Sequence, residues 1–441
     1  MISILFILLL LILTLIISKT IFRTLLSPLN FYLFIWLLLI LLYLLDSVIN
    51  IWGYLPLSRE AWLLLVISIF SYFIGCISSA IPHVAIRKIY SIQSNTARFA
   101  HELQFYLPKI TRISYICLFI SFLSPVIKWR MLFDAFGNPL VMLGGIRRLA
   151  VYEKEFSFGN LISFLHYFGL CGIFLLGIVL GQENTKKGWL LFIMQFAVLF
   201  FDDLSLGSRG VTFFGFVLFI IALLLVRSSV RGVKLKIAPL GIGILFMLML
   251  LHTIVRLRGG SVSEPFIIDF LKLLYLYATG PIPAFDASLH VMERAVPLQY
   301  LLGGLYRSLN SVSAGLGFGE IFALSQDYYP NVLIGPQYFN TVPWLSYLYS
   351  DLGIIGVILM PYVIGWFSTY IFFKYKSNPT LLRLTLLVLI YTYLLLTPRG
   401  TLTSWISFWF VGGVSTILSL YLQRRLRKAR VHKLGEARPS L

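Results

Sequence analysis

The 441-residue sequence contains few charged residues, few histidines and few cysteines. Only 12% of its residues are Asp, Glu, Lys or Arg, whereas a soluble domain carries about 25%. This scarcity of charge, with 59% hydrophobic residues, excludes an ordinary soluble globular protein. The three cysteines lie in apolar runs and provide neither a disulfide framework nor a zinc-binding spacing. The sequence also lacks a phosphate-binding loop motif, a nucleophile-elbow motif and a His-Glu-x-x-His pair.

What the sequence has instead is a series of eleven apolar runs, each long enough for a membrane-spanning helix. The runs lie at residues 2–18, 30–45, 61–81, 113–127, 161–181, 189–203, 211–226, 237–254, 351–373, 384–397 and 404–422. They predict an all-α, polytopic integral membrane protein with about eleven transmembrane helices. The first run lacks a basic leading segment and a small-residue cleavage site, so we interpret it as a retained span rather than a signal peptide.

The net charge of +19 is concentrated in alternate connections between the apolar runs. These connections hold 23 of the 36 Lys and Arg residues but only 3 of the 17 acids, and they lie at residues 19–29, 82–112, 182–188, 227–236 and 374–383 and in the tail from Gln423. The rest of the chain holds 13 basic residues and 14 acids. The positive-inside rule therefore predicts that the N-terminus lies outside and the tail inside. We interpret the basic tail as a contact for anionic lipid head groups rather than for nucleic acid.

Chain order suggests four segments. They are a bundle of eight spans at 1–254, a long external loop at 255–350, three further spans at 351–422 and a basic cytoplasmic tail at 423–441. The loop is too long to lack structure of its own. Apolar residues at helical spacing predict an amphipathic or re-entrant helix that begins near Ser263 and ends at Gly280-Pro281. The glycine- and serine-rich stretch 301–320 is expected to be mobile.

Four arginines fall on the predicted outer side, and three of them adjoin glycine: Arg209, Arg256, Arg258 and Arg399. A single arginine at a helix end is usually a snorkelling anchor. Four on one face favour an anion site, because guanidinium binds phosphate through two parallel hydrogen bonds and glycine lets backbone approach the anion. The pyrophosphate of a polyprenyl lipid fits such a site at the membrane boundary.

The acidic residues on the same side allow two interpretations each. Glu153 and Glu155 could form a metal-binding pair, although a solvated face is the favoured interpretation. Asp202 and Asp203 could neutralise Arg209, orient it or accept a proton.

With these residues in view, the sequence resembles the bacterial oligosaccharide repeat-unit polymerases of the Wzy type, which include O-antigen polymerases. The resemblance rests on the Gly-Ser-Arg turn ahead of an apolar span, an arginine before the long external loop, and three later motifs. These are "TGPIPAF", "QYFNTVPWLSYLYSDLGIIG" and "TPRGT". The similarity is strongest between Leu204 and Thr401, and the first 200 residues match little beyond hydropathy.

The resemblance implies a membrane glycosyltransferase of GT-C-like architecture on the outer face of the bacterial cytoplasmic membrane. It would transfer the growing glycan en bloc from undecaprenyl pyrophosphate to a new lipid-linked repeat unit of O-antigen, capsule or exopolysaccharide. No cofactor, metal or nucleotide sugar is expected. The expected partners are the lipid-linked oligosaccharide, membrane lipids and, as an option, a chain-length regulator protein.

Roles for individual residues follow from the same resemblance. The four outward arginines would bind pyrophosphate. The base would come from Asp286 or Asp351, with His290 and Asp203 as weaker candidates, and the glycan would contact Tyr338, Asn340 and Tyr347. Asp351 could instead only cap the span that begins there.

Two other functions remain open at this point. An O-antigen ligase would use a similar donor with lipid A core as acceptor, but the surroundings of His290, "SLHVMER", do not resemble the ligase motif. A lipid-linked oligosaccharide flippase would need charged residues within its spans and typically has short loops.

Overall fold

The structure is a computed structural model, and part of the chain is described in it. The described residues are 2–22, 24, 26–86, 93–137, 160–205, 208–230, 248, 253, 265–289, 291–292, 296–315, 318–324, 332–335, 337–339 and 341–436.

Long apolar helices dominate the described residues, which also contain one short hairpin. In chain order the elements are α1 (Ile2–Ile21), α2 (Pro28–Ile49), α3 (Arg59–Ile86), α4 (Gln93–Phe136), α5 (Asn160–Gln182), α6 (Lys186–Ser205), α7 (Gly210–Val230), α8 (Phe266–Thr279), α9 (Pro281–Ser288), α10 (Gly303–Gly315), β1 (Val332–Ile334), β2 (Gln337–Phe339), α11 (Trp344–Ser377), α12 (Leu381–Leu396) and α13 (Ile406–Glu436). Two turns of 3₁₀-helix, Thr397–Arg399 and Leu402–Ser404, join α12 to α13.

The helices confirm that this is a multi-pass membrane protein. Nine helices in the described part of the chain are long and apolar enough to cross a membrane, and a tenth span is possible if α8 and α9 count as one broken helix. The nine are α2 to α7 and α11 to α13. The predicted run 2–18 lies in helix α1, and the run 237–254 lies almost wholly outside the described residues.

Helix α4 is much longer than the apolar run from which it was predicted. It has 44 residues, equivalent to about 66 Å, whereas the hydrocarbon core of a bilayer is about 30 Å thick. Residues assigned to connections on both sides of the run, 93–112 and 128–136, are therefore helical as well. This extension places Lys128 inside a helix rather than in an external loop.

Within the described residues, the long segment before α11 contains three helices, α8, α9 and α10. Helix α8 ends at Thr279 as predicted, but α9 follows at once at an angle of 51°. The prediction of a mobile stretch is wrong for Gly303–Gly315, which form α10. Gly304 belongs to a packed helix, because a Cβ there would lie 2.7 Å from the backbone of Trp405. The strands β1 and β2 form an antiparallel hairpin in which Leu333 pairs with Tyr338.

The chain forms two compact units, each made of non-consecutive segments. The first unit comprises Met1–Ser91, Leu271–Ser377 and Ile390–Trp409. The second unit comprises Ile92–Phe270, Asn378–Leu389 and Phe410–Leu441.

Helices α3 and α11 form the main contact of the first unit, and glycines bring their backbones together. A Cβ at Gly75 would lie 2.1 Å from the carbonyl oxygen of Tyr362, and one at Gly365 would lie 2.4 Å from that of Tyr72. Small residues at such crossings are how membrane helices approach closely without hydrophobic driving force. Within this unit, the described residues around α8, α9 and the hairpin pack against α11 in a buried cluster that includes Leu276, Ala284, Tyr300, Val332, Ile334, Phe339, Val342 and Tyr347.

In the second unit, α5 packs against both α4 and α7. Gly177 and Gly181 of α5 face α7, where added Cβ atoms would lie 2.7 Å from Phe219 O and 2.6 Å from the side chain of Val226. Helix α6 is tied to α4 by polar contacts, including a 2.8 Å hydrogen bond from Gln195 Nε2 to Ser121 Oγ. These helices carry the second group of predicted site residues.

Candidate functional site

In the first unit, Arg399 lies at the end of the turn that follows α12. Its guanidinium carbon is 5.9 Å from the centre of the Tyr277 ring, within the range of a cation–π contact. The next residue, Gly400, has φ of 131°, a value that side chains disfavour. A Cβ at Gly400 would also lie 3.3 Å from the ring of Tyr347. Glycine therefore lets this turn pass close to a buried tyrosine.

Tyr347 connects the Arg399 turn to a buried carboxylate. Its ring is 5.3 Å from that of Tyr300, and both side chains are buried. The Asp351 carboxylate accepts hydrogen bonds from the backbone N–H of Tyr300 at 3.1 Å and of Leu301 at 2.7 Å. Asp351 thus binds a segment outside its own helix, two residues before a break in α11 at Gly353. Because Asp351 is 0% exposed, these amides replace the water that the carboxylate loses.

Asp286 lies on α9 in the same unit and is half-buried. Its two carboxylate oxygens accept hydrogen bonds from Ser58, at 2.8 Å from the backbone N–H and 2.6 Å from the hydroxyl. The Ser58 hydroxyl in turn accepts the N–H of Ala61, just before helix α3 begins at Arg59. Nearby, Ser288 Oγ donates to Ser346 Oγ at 2.7 Å, which links α9 to α11. Asp286 therefore holds α9 on the N-terminus of α3.

Tyr54 lies between α2 and α3 and contacts the end of α8. Its hydroxyl is 2.9 Å from the Thr279 hydroxyl at the end of α8. Burial raises the pKa of Tyr54 above its ordinary value, so the phenol stays neutral and can act as a hydrogen-bond donor.

We call the group formed by Tyr277, Asp286, Tyr300, Tyr347, Asp351, Arg399 and Gly400 the Arg399 site. It places the Arg399 cation beside the Tyr277 ring and connects the turn through Tyr347 and Tyr300 to the Asp351 carboxylate, while Asp286 lies on α9 of the same unit. Guanidinium is the side-chain cation that binds phosphate through two parallel hydrogen bonds. The sequence predicted four of its members, namely Asp286, Tyr347, Asp351 and Arg399. It missed Tyr277 and Tyr300, which resemble ordinary interfacial tyrosines in a sequence that contains 24 tyrosines.

In the second unit, Asp203 and Arg209 flank the turn between α6 and α7. The Asp203 carboxylate accepts the backbone N–H of Thr212 at 2.6 Å, so it caps the start of α7. The Asp203 carbonyl accepts the N–H of Ser208 at 2.7 Å, and Arg209 is half-buried. The geometry gives Asp203 a role in shaping the turn that carries Arg209.

Asp202, the neighbour of Asp203, belongs to a buried polar group that the sequence did not reveal. We call it the Lys128 cluster, and its members are Ser124, Lys128, His166 and Asp202. Asp202 Oδ2 lies 2.8 Å from Lys128 Nζ and 3.6 Å from His166 Nδ1. Asp202 Oδ1 accepts a 2.5 Å hydrogen bond from Ser124 Oγ. Lys128 is 1% exposed and Asp202 3%. Ionisable residues inside membrane spans cost free energy, so a buried ion pair there indicates a functional or structural role.

Several predicted site residues cannot be assigned to either group. Arg256, Arg258, His290 and Asn340 lie outside the described residues, as do Glu153 and Glu155. For Tyr338 only the backbone is described, and it pairs with Leu333 in the hairpin. Within the described part of the chain, no group of three or more His, Cys, Asp and Glu side chains could hold a metal ion.

In comparisons with known proteins, no family model, curated protein or solved structure matches this chain.

Proposed function

We propose that this protein is an oligosaccharide repeat-unit polymerase of the Wzy type that acts at the outer face of a bacterial cytoplasmic membrane. The observation that carries the proposal is the Arg399 site. In the first unit an arginine–glycine turn contacts Tyr277 and Tyr347, and the Asp351 carboxylate binds the backbone of Tyr300 beside them. Such a combination suits a substrate that is part pyrophosphate, part sugar and part lipid.

The proposed reaction replaces a glycosyl phosphate bond with a glycosidic bond. A hydroxyl at the non-reducing end of the new repeat unit attacks the anomeric carbon of the lipid-linked growing chain. A carbon–oxygen bond to the acceptor forms, and the bond from the anomeric carbon to the pyrophosphate oxygen breaks. The electron pair leaves with undecaprenyl pyrophosphate, and the hydroxyl proton passes to a base. The activated donor supplies the driving force, so the reaction uses no ATP and no nucleotide sugar.

Arg399 is our candidate for stabilising the leaving pyrophosphate. Positive charge fixed beside a developing anion stabilises the transition state without reorganising at the moment of reaction. The contact with Tyr277 limits the freedom of the guanidinium, and Gly400 lets the turn pack closely on Tyr347. Arg209 remains a predicted pyrophosphate ligand from the second unit, to be tested by itself.

Asp286 is the better candidate for the base, and Asp351 for a positioning residue. A base must come within hydrogen-bond distance of the acceptor hydroxyl. Asp286 is half-buried, whereas Asp351 is 0% exposed and binds two backbone amides. The ring of Tyr277, which is half-buried, would contact a sugar, whereas Tyr347 is buried and would support the site from behind.

The orientation of the protein can be tested by cysteine labelling. All three native cysteines are buried, so a new exposed cysteine can be detected selectively. We expect a membrane-impermeant thiol reagent to label Phe318→Cys, whose native side chain is 81% exposed, in intact cells. Asn378→Cys, in a predicted inner connection, should react only after permeabilisation. The reverse pattern would contradict both the orientation and an external active site.

The polymerase activity can be tested with purified protein and lipid-linked single repeat units. We expect a ladder of longer glycans and release of undecaprenyl pyrophosphate without ATP, nucleotide sugar or lipid A core. A ligase would require the core acceptor, and a flippase would leave the chain length unchanged. Absence of a ladder from folded protein that binds the lipid would refute the proposal.

Arginine variants test the role of the site in the same assay. Arg399→Ala should abolish the ladder while the protein still inserts and folds. Arg399→Lys should restore little, since an ammonium group cannot replace the planar fork of guanidinium. Arg383→Ala is a matched control at the other end of α12, where the guanidinium bonds Asn378 O, and it should keep full activity.

A further inference from the structure

A long apolar groove runs between α4 and α6 on the surface of the second unit. Its volume is about 760 Å³, within the range of about 300–1,000 Å³ typical of small-molecule sites. Residues spaced by three or four positions line it on each helix. Those the argument uses are Tyr115, Phe119, Phe122 and Trp129 of α4, with Ala197 and Phe201 of α6.

Three polar contacts join α4 to α6 along the groove. Gln195 donates to Ser121 at 2.8 Å, and Trp129 Nε1 donates to Phe201 O at 3.0 Å. The Lys128–Asp202 pair joins the same two helices. These bonds fix the spacing of α4 and α6, so the helix packing sets the shape of the groove.

The two ends of the groove differ in chemistry. Arg112 lies one helical turn before Tyr115, whereas the Trp129 end lies where α6 finishes, and tryptophan favours the membrane interface. Arg130 follows Trp129 and is 84% exposed. Its contact with Asp134, at 3.9 Å between exposed groups, is one that solvent screens. The turn that carries Arg209 comes directly after this end of α6. A ligand of this groove is therefore an amphiphile with a long apolar chain and an anionic head.

We propose that the groove binds the isoprenoid chain of a polyprenyl pyrophosphate, with the head group at the Trp129 end beside Arg130 and Arg209. This inference rests on the proposed function and adds to it a site for the lipid chain. Branched, unsaturated isoprene units fit a groove whose walls combine aromatic rings with aliphatic side chains and whose width is fixed. A phospholipid would have to place two chains in one groove.

The experiment uses purified protein in phosphatidylglycerol-containing nanodiscs and an undecaprenyl pyrophosphate that carries a photoreactive diazirine in its chain. After irradiation, mass spectrometry maps the crosslinked peptides. We expect crosslinks at the groove face of α4 and α6 to exceed those at Ile193 by about tenfold. Ile193 is 59% exposed on α6 but lies outside the groove. Unlabelled undecaprenyl pyrophosphate should displace the probe, and added phosphatidylglycerol should not.

Two matched variants separate the groove from the general lipid surface. Ala197→Trp fills the groove and should remove the groove crosslinks, whereas Ile193→Trp adds the same side chain to the same helix and should leave them. Equal labelling of both helix faces, equal displacement by phosphatidylglycerol, or retained crosslinks in Ala197→Trp would overturn the proposal.

This test is independent of the polymerase assay. Groove crosslinks from a protein that forms no glycan ladder would support the lipid site and reject the polymerase function. A ladder that persists while the groove crosslinks are absent would reject the lipid site and leave the polymerase function standing.

Discussion

Two buried aspartates show two different ways to keep a carboxylate away from water. In the second unit, Asp202 is neutralised by the ammonium group of Lys128 at 2.8 Å. In the first unit, Asp351 is 0% exposed, and its carboxylate accepts the backbone N–H groups of Tyr300 and Leu301. An ion pair joins two helices, but removal of either partner leaves an uncompensated buried charge. A carboxylate that binds backbone amides instead determines where a loop lies.

The difference suggests a division of tasks. The Lys128 cluster joins α4, α5 and α6 within the second unit, so its loss should affect the unit as a whole. Asp351 orders the residues just before α10, so its loss should affect those residues and the Arg399 site. Substitutions in each region can separate these two effects.

The largest effect is expected for Lys128→Met, which leaves the Asp202 carboxylate buried without its cation. Removing one partner of a buried ion pair costs about 3–5 kcal/mol. We expect a clear drop in the thermal unfolding midpoint in detergent. Arg130→Met is a matched control two residues away, and the exposed pair it removes should contribute little. Equal midpoints for the two variants would mean that the buried pair does not stabilise the unit.

Asp351→Leu should have a smaller and more local effect. It removes the acceptor for the Tyr300 and Leu301 amides, and an unsatisfied buried group costs about 1–3 kcal/mol. We expect faster hydrogen exchange in residues 300–315 and earlier proteolysis of that segment. Asp351→Asn retains one carbonyl acceptor and should lie between Leu and wild type. Unchanged exchange in the Leu variant would contradict the role assigned to this carboxylate.

Asp286→Asn should separate stability from activity. The amide can still accept one hydrogen bond from Ser58, so the loss of stability should be about 1 kcal/mol or less. If Asp286 is the base, the polymerisation rate should fall by about a hundredfold or more. Ser58→Ala provides the control, since it removes the hydroxyl contact but not the carboxylate. If Ser58→Ala loses activity and Asp286→Asn does not, the role of Asp286 is purely structural.

The smallest effect on stability is expected for Tyr277→Leu, which removes the ring beneath Arg399. A partly exposed cation–π contact contributes about 0.5–1 kcal/mol. We expect normal unfolding but weaker binding of inorganic pyrophosphate or prenyl pyrophosphate, because the guanidinium loses its fixed position. Tyr277→Phe keeps an aromatic face and should behave as wild type. Equal binding in the Leu and Phe variants would show that the ring does not position Arg399.

The sequence predicted the membrane class and most helix positions because hydropathy is a local property. A run of apolar residues such as 61–81 implies a spanning helix whatever it packs against. The helix before Gly280-Pro281 was also predictable from its spacing and its terminating residues. The helical state of residues 303–315 was not predictable in this way, since Gly304 is selected by close contact with Trp405 rather than by helix propensity.

The composition and the order of residues thus determined by themselves that the chain spans a membrane many times and where most of its helices lie. Only the tertiary structure decided that Lys128 pairs with Asp202, that Asp351 binds the amides of Tyr300 and Leu301, and that Arg399 meets Tyr277. The partners are 74 residues apart in the first case and about 50 in the second. Local patterns determine hydropathy and helix ends, whereas the partner of a charge depends on which helices pack together.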